Sequence, residues 1–171
     1  VLAALRSGFT LLRDSLHDPA AVLQRLHTLV AETSRRRMLV TVSVVLLDRA
    51  NGRATIATAG NPPLFIRRTD GTVETIALYA PPLGVRLPVE IPQRRLDVQP
   101  GDTLVLHSDG IYETRNAADD VYGLERIASI VSEQGGESAE SLRDAILADV
   151  AAFRGTREQD DDITLVVCRL T

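Results

Sequence analysis

Apolar residues recur at helical spacing from the start of the chain: Leu2, Leu5, Phe9, Leu12 and Leu16 share one face of an amphipathic helix over residues 1–16. Asp18-Pro19 then supplies an N-cap and a proline at the first helical position. Val22, Leu23, Leu26, Leu29 and Val30 line one face of the helix that follows, which runs to about residue 34. At Met38 the period changes. Residues 38–47 are apolar and β-branched, Asp48-Arg49-Ala50-Asn51-Gly52 reads as a turn, and a strand pattern resumes over 53–59. Asn-Gly between two apolar runs is a strong hairpin signal. Gly60-Asn61-Pro62-Pro63 breaks that strand, residues 64–68 begin another, and Thr69-Asp70-Gly71 turns it into 72–76. The four segments read as an antiparallel meander.

The stretch over 79–85 is rich in Pro and Gly and reads as irregular, and 91–98 reads as a strand. Gln99-Pro100-Gly101-Asp102 turns the chain into an apolar strand over 103–107. Two helices follow, over 123–134 and 138–153, with Gly135-Gly136 as the stop between them and Ser138 and Ser141 at the second start. A last strand covers 163–170. Helices grouped before and after a run of strands predict an α+β fold with layered packing, not a doubly wound sheet. No repeat or long interior linker divides the chain, so residues 1–171 are expected to form a single domain.

Composition narrows the function classes. A net charge of −4 argues against a nucleic-acid surface, and the densest basic run, Arg35-Arg36-Arg37, falls at a helix-to-strand junction and reads as a solvated loop. No apolar run approaches the ~20 residues that span a bilayer. The single cysteine, Cys168, lies in a Leu-Val-Val-Cys run and reads as a small buried apolar residue. With no signal peptide, a cytoplasmic location is expected. His17 and His27 have no second ligand one helical turn away and read as surface or helix-capping residues. The chain opens inside a helical pattern with no initiator Met, as a piece of a longer protein would.

Two acidic motifs carry the candidate chemistry. His107-Ser108-Asp109-Gly110 ends one apolar run, and Asp160-Asp161-Asp162-Ile163-Thr164 begins another. Alone, Ser-Asp-Gly is compatible with a plain turn, and three acids in a row with a solvated loop. Together they suggest more. If the two strands are neighbours, carboxylates at their adjoining ends could converge on a hard cation, and three like charges feeding a buried strand favour a neutralising metal.

The ordered series Ala59-Gly60-Asn61-Pro62-Pro63, Pro82-Leu83-Gly84-Val85, Pro100-Gly101-Asp102, Ser108-Asp109-Gly110 with Glu113-Thr114-Arg115-Asn116, Tyr122-Gly123, and Asp160-Asp161-Asp162-Ile163-Thr164 resembles the bacterial metal-dependent (type 2C-like) serine/threonine phosphatases. More narrowly it resembles the sporulation stage II protein E branch, whose members regulate sigma factors. The resemblance implies an antiparallel β-sandwich flanked by helical layers, with two Mn²⁺ or Mg²⁺ ions at one end. It makes Asp109 and Asp161 metal ligands, with Gly110, Asp160 and Asp162 supporting. The implied reaction is hydrolysis of phosphoserine or phosphothreonine by metal-activated water, so that Ser108 and His107 need no catalytic role. The implied partners are a phosphorylated anti-anti-sigma-type protein and an upstream sensor domain in the same polypeptide, acting through the helices near residues 1–34.

The chain departs from the family pattern in three places. A Gly-Asp-Val-x-Gly-His-Gly motif that completes the binuclear site has no counterpart here, so the leading strands are expected to be missing and the chain to be weak or inactive alone. The sheet edge so exposed would invite a homodimer. Asn61 stands where the family often has His, and Tyr79-Ala80 where a Gly-rich pair is common. The competing class is a non-catalytic module that binds a sigma-factor partner-switching protein.

Overall fold

The computed structural model of the chain describes residues 2–12, 17–33, 38–134 and 136–171. Among these the elements run α1 (Leu2–Leu11), α2 (Pro19–Thr33), β1 (Val42–Asp48), β2 (Arg53–Ala59), β3 (Leu64–Arg67), β4 (Val73–Ile76), β5 (Gln93–Asp97), β6 (Thr103–His107), α3 (Asp109–Tyr112), α4 (Leu124–Gln134), α5 (Ala139–Arg154) and β7 (Leu165–Arg169). The predicted α+β order holds. The expected basic loop at Arg35-Arg36-Arg37, the end of the first helix over 13–16 and the stop at Gly135 lie outside the described residues. Two compact units emerge, Val1–Asn61 with Leu78–Val98, and Pro62–Ala77 with Gln99–Thr171.

The first unit is a three-stranded antiparallel sheet in the order β1-β2-β5, covered by α2. The Asn-Gly hairpin forms as predicted. Asp48 accepts hydrogen bonds from the Asn51 backbone N–H at 3.1 Å and from its side-chain amide at 2.7 Å, and Gly52 takes a φ of +59°. Helix α2 starts where expected, with the Asp18 carboxylate accepting from the Ala21 N–H at 3.1 Å. Its Val22, Leu23, Leu26 and Val30 are buried with Ala57, Ala59 and Leu83. The strand expected from residue 38 begins only at Val42, because Val40 instead exchanges two backbone hydrogen bonds with Leu83, at 3.1 and 2.8 Å. The irregular 79–85 stretch is thereby pinned. His27 corrects the sequence reading: it is buried, and its Nδ1 accepts from the Gly84 N–H at 3.3 Å. Gly84 has to be glycine there, since a Cβ would meet the Met38 carbonyl oxygen at 2.7 Å and φ is +93°. Asn61, at the strand break, donates from Nδ2 to Ser43 Oγ at 2.7 Å.

The second unit holds a four-stranded antiparallel sheet in the order β4-β3-β6-β7. The predicted single meander is therefore two hairpins in two sheets. Pro62 and Pro63 have no N–H to offer a ladder, and Gly60 turns with φ +74°, so β2 cannot continue into a paired β3. Helices α4 and α5 bury Ile127, Ile130, Val131, Leu142, Ile146 and Val150 with Phe65 and Val105. The α5 start is the predicted one, with Ser138 Oγ accepting from the Ser141 N–H at 3.0 Å. Pro100-Gly101-Asp102 proves more than a turn. Asp102 is fully buried, and its carboxylate accepts from Arg68 Nη1 at 3.0 Å and from the N–H groups of Thr69 and Gln99 at 3.2 Å each. Cys168, paired across the ladder with Leu104, is only half-buried, because β7 is an edge strand. The four-residue helix α3 was not legible as a helix.

Candidate metal centre

Strands β6 and β7 pair antiparallel from Thr103↔Arg169 to His107↔Leu165. Antiparallel pairing puts the end of one strand beside the start of the other, so the two acidic motifs adjoin. Ser108 fastens them: its N–H donates to the Thr164 carbonyl at 2.9 Å, its Oγ accepts from the Thr164 N–H at 2.9 Å, and its hydroxyl donates to the Asp162 carbonyl at 3.0 Å. A hydroxyl committed twice to backbone is a structural tie.

Gly110 is buried, and a Cβ there would lie 2.4 Å from the Asp162 carbonyl oxygen and 3.4 Å from that of Asp161. Only glycine lets α3 approach the second loop this closely. Asp109, the first residue of α3, is exposed, and its Oδ1 accepts from the Gly110 N–H at 3.1 Å. Asp161 is likewise exposed, with Oδ1 accepting from the Asp162 N–H at 2.7 Å. The Asp160 carboxylate is drawn to Arg157 Nε at 3.3 Å, and Asp162 contributes its carbonyl to the junction with Gly110 and Ser108. The structure thus brings Asp109-Gly110 against Asp161-Asp162 and gives Asp160 to an ion pair. The strand that the three acids lead into, read as buried from the sequence, is the edge strand β7, and all three acids are exposed at its mouth. Among the described residues no group of three or more His, Cys, Asp or Glu side chains is assembled for a metal ion. The residues on the two loops that meet at Gly110 offer oxygen donors, the carboxylates of Asp109 and Asp161, beside a cradle kept free of any Cβ. That set fits a hard divalent cation which takes one or two carboxylates and fills its remaining positions with water or phosphate.

His107 belongs to the core. Its ring stacks on Phe65 with centroids 5.7 Å apart and meets the edge of Tyr112 at 6.0 Å. Burial pushes the imidazole below its ordinary value, and Nε2 is buried without a hydrogen-bond partner. A cleft of about 470 Å³ opens beside the acidic junction, lined in part by Gly110, Tyr112, Thr114, Arg115, Arg154 and Asp161. Burial, with the hydrogen bond to Glu113, pushes the Tyr112 phenol up to about 12, so it is a neutral donor at physiological pH.

Sequence reasoning missed the arginine scaffold of this end. Arg157 Nη1 reaches Asp119 Oδ1 at 2.9 Å, and Asp119 also pairs with Arg115 at 3.3 Å. Asn116 Oδ1 accepts from the N–H groups of Ala118 and Asp120, both at 2.9 Å, and Asp119 adopts a φ of +69°. Asn116 in Glu113-Thr114-Arg115-Asn116 was the available signal, since Asn side chains close such turns.

The model of the family described as stage II sporulation protein E (SpoIIE) matches residues 1–171. The chain belongs to that family. Among solved structures it is similar to the SiaA-PP2C domain of Pseudomonas aeruginosa, with a TM-score of 0.81 at 22% identity over 99% of this chain and 67% of that one. It is also similar to the RsbU and RsbW domains of Rv1364c from Mycobacterium tuberculosis, with a TM-score of 0.78 at 21% identity over 96% of this chain and 46% of that one. The antiparallel α+β fold of this SpoIIE-family chain is that of PP2C phosphatase domains. Protein IcfG of Synechocystis sp. (strain ATCC 27184 / PCC 6803 / Kazusa) is 24% identical over 129 residues, 75% of this chain. The chain spans 20% of the length of that relative.

Proposed function

We propose that residues 1–171 form one PP2C-type domain that hydrolyses phosphoserine or phosphothreonine on a regulatory protein. The observation that carries this reading is the β6–β7 pairing, which sets Asp109-Gly110 against Asp161-Asp162. Asp109 and Asp161 would hold Mn²⁺ or Mg²⁺. Two fold neighbours bear on the metals: the SpoIIE phosphatase domain of Bacillus subtilis was presoaked with Mn, and RsbX was solved in complex with magnesium. When bound, such an ion polarises the phosphoryl oxygens and activates water for in-line attack. The chain's own part is to hold the two carboxylates: Ser108 ties the loops, Gly110 permits their approach, and Tyr112 offers a neutral hydroxyl to the cleft. A phosphorylated anti-anti-sigma-type protein in the cytoplasm is the substrate that goes with this family; no helix among the described residues is long and apolar enough to cross a membrane.

A second reading, docking of such a partner without turnover, is favoured by the exposure of Asp109, Asp160, Asp161 and Asp162, with no group of three or more His, Cys, Asp or Glu side chains assembled for a metal ion among the described residues. The deciding experiment is Mn²⁺-dependent hydrolysis of p-nitrophenyl phosphate and of a phosphoserine peptide, with Asp109→Asn and Asp161→Asn alongside. Turnover lost in both variants supports the enzyme. No turnover by the parent chain, with retained binding of the phosphoprotein, supports the docking module.

A further inference from the structure

The loop that carries Asp161 is braced from the end of α5 by a side chain that the motif series passes over. Arg154, in the last turn of α5, donates from Nη1 to Gln159 Oε1 at 3.0 Å. Gln159 in turn donates from Nε2 to the Asp161 carbonyl at 2.8 Å. The two bonds fix the amide's orientation. Flipping it would set Oε1 against a carbonyl oxygen and the NH₂ against a guanidinium, losing both. Next along the backbone, the Asp162 N–H donates to Asp161 Oδ1 at 2.7 Å, so the peptide whose oxygen Gln159 grips is the one whose nitrogen orients the Asp161 carboxylate. Arg154 is the last residue of a sixteen-residue helix, and its Nε is buried without a hydrogen-bond partner, so Gln159 supplies its guanidinium with an acceptor.

We infer that Gln159 is a positioning residue, which relays the fixed place of Arg154 to the Asp161–Asp162 peptide and so sets the Asp161 carboxylate for a divalent cation. The metal clause rests on the function proposed above; the relay itself does not. Gln159 is exposed and packs in no core, so its loss leaves the fold intact. A hydrogen-bonding partner of a metal ligand commonly matters about tenfold or more in metal affinity.

The test uses the whole chain with Gln159→Leu, which removes both bonds, and Gln159→Glu, which keeps an acceptor for Arg154 but loses the donor to Asp161. Amide exchange of Asp162 by NMR without metal, and Mn²⁺ affinity by electron paramagnetic resonance, are read beside the melting temperature. Both variants are expected to melt as the parent does and to exchange the Asp162 amide about fivefold faster, the factor that one net hydrogen bond is worth. Both should bind Mn²⁺ about tenfold more weakly. Unchanged Asp162 exchange in either variant overturns the relay. Faster exchange with unchanged Mn²⁺ affinity, while Asp161→Asn weakens it, overturns the role towards metal. If Asp161→Asn leaves Mn²⁺ binding as it was, the proposed ligand assignment and the metal clause fail together, and the exchange result still decides the relay.

Discussion

Gly110 and Asp162 meet backbone to backbone, with the place of a Gly110 Cβ only 2.4 Å from the Asp162 carbonyl oxygen. The obstacle is a main-chain atom that Ser108 also binds, so it cannot swing aside as a side-chain tip would. Gly110→Ala should therefore push the 160–164 loop away from α3. Overpacking of this kind costs about 1–3 kcal/mol. The variant should fold with a lower melting temperature and lose at least about tenfold of any Mn²⁺-dependent turnover, since misplacement by about 1 Å has effects of that order. A variant that melts and turns over as the parent does would mean that the loop adapts freely and that the close contact sets nothing.

Asp109, Asp161 and Asp160 should separate by role although all three are exposed. Asp109→Asn and Asp161→Asn should each remove metal-dependent turnover, and chelation by EDTA should reproduce the loss in the parent. Asp160→Asn should change little, because it breaks only a solvent-screened, exposed pair with Arg157. Steady-state assays over a Mn²⁺ titration check this. Equal losses in all three variants would assign the acidic run a shared electrostatic effect in place of two ligands.

How far the sequence foretold this structure depended on the range over which each signal acts. The Asn51-Gly52 hairpin, the Asp18 and Ser138 caps and the α+β order follow from local chemistry and are where the pattern puts them. The meander failed at Pro62-Pro63, because which sheet β3 joins is decided by pairing with β6, far along the chain. His27 read as a surface residue since nothing near it in sequence shows that Gly84 would offer an N–H across 57 positions. At the candidate site, the two acidic motifs were visible and their adjacency followed once β6 and β7 were taken as neighbours. The strand after the second motif was read as buried, because an apolar run does not reveal that β7 lies at an edge. The tie through Ser108 and the bracing by Gln159 depend on side-chain reach across loops and had no pattern to betray them.

Asp102 should prove the stability centre of the Pro100-Gly101-Asp102 turn. Its fully buried carboxylate accepts from Arg68 and from two backbone N–H groups, and Asp102→Ala would strand all three donors. Arg68 keeps Glu74 at 3.1 Å, which limits the damage. The expected cost is about 2–3 kcal/mol, a fall of roughly 5–10 °C in melting temperature. Thermal unfolding followed by circular dichroism measures it. A fall under about 2 °C would show that water enters the turn and replaces the carboxylate.

The clamp between α4 and α5 predicts how stability responds to pH. Asp149 accepts from Arg126 at 2.6 and 3.0 Å and from the Tyr122 hydroxyl at 2.7 Å. These bonds, that from Arg126 foremost, hold its carboxyl below the ordinary value of 3.8. A carboxyl whose pKa is lower folded than unfolded contributes stability above the unfolded value and loses it as pH falls through the folded one. The loss attributable to Asp149 therefore falls below about pH 4. Tyr122 works at the opposite end: burial, then its bond to Asp149, raises the phenol above its usual range, so its contribution is complete below about pH 10 and fades as pH climbs past that. Arg126 is 44% exposed, so added salt should weaken the clamp. Urea midpoints of the parent and Asp149→Asn, measured from pH 7 down to pH 2.5, should differ most near neutrality and converge below about pH 4, with a smaller gap in high salt. A gap that keeps its size across the whole range would show that shape, and not the charge of Asp149, joins the two helices.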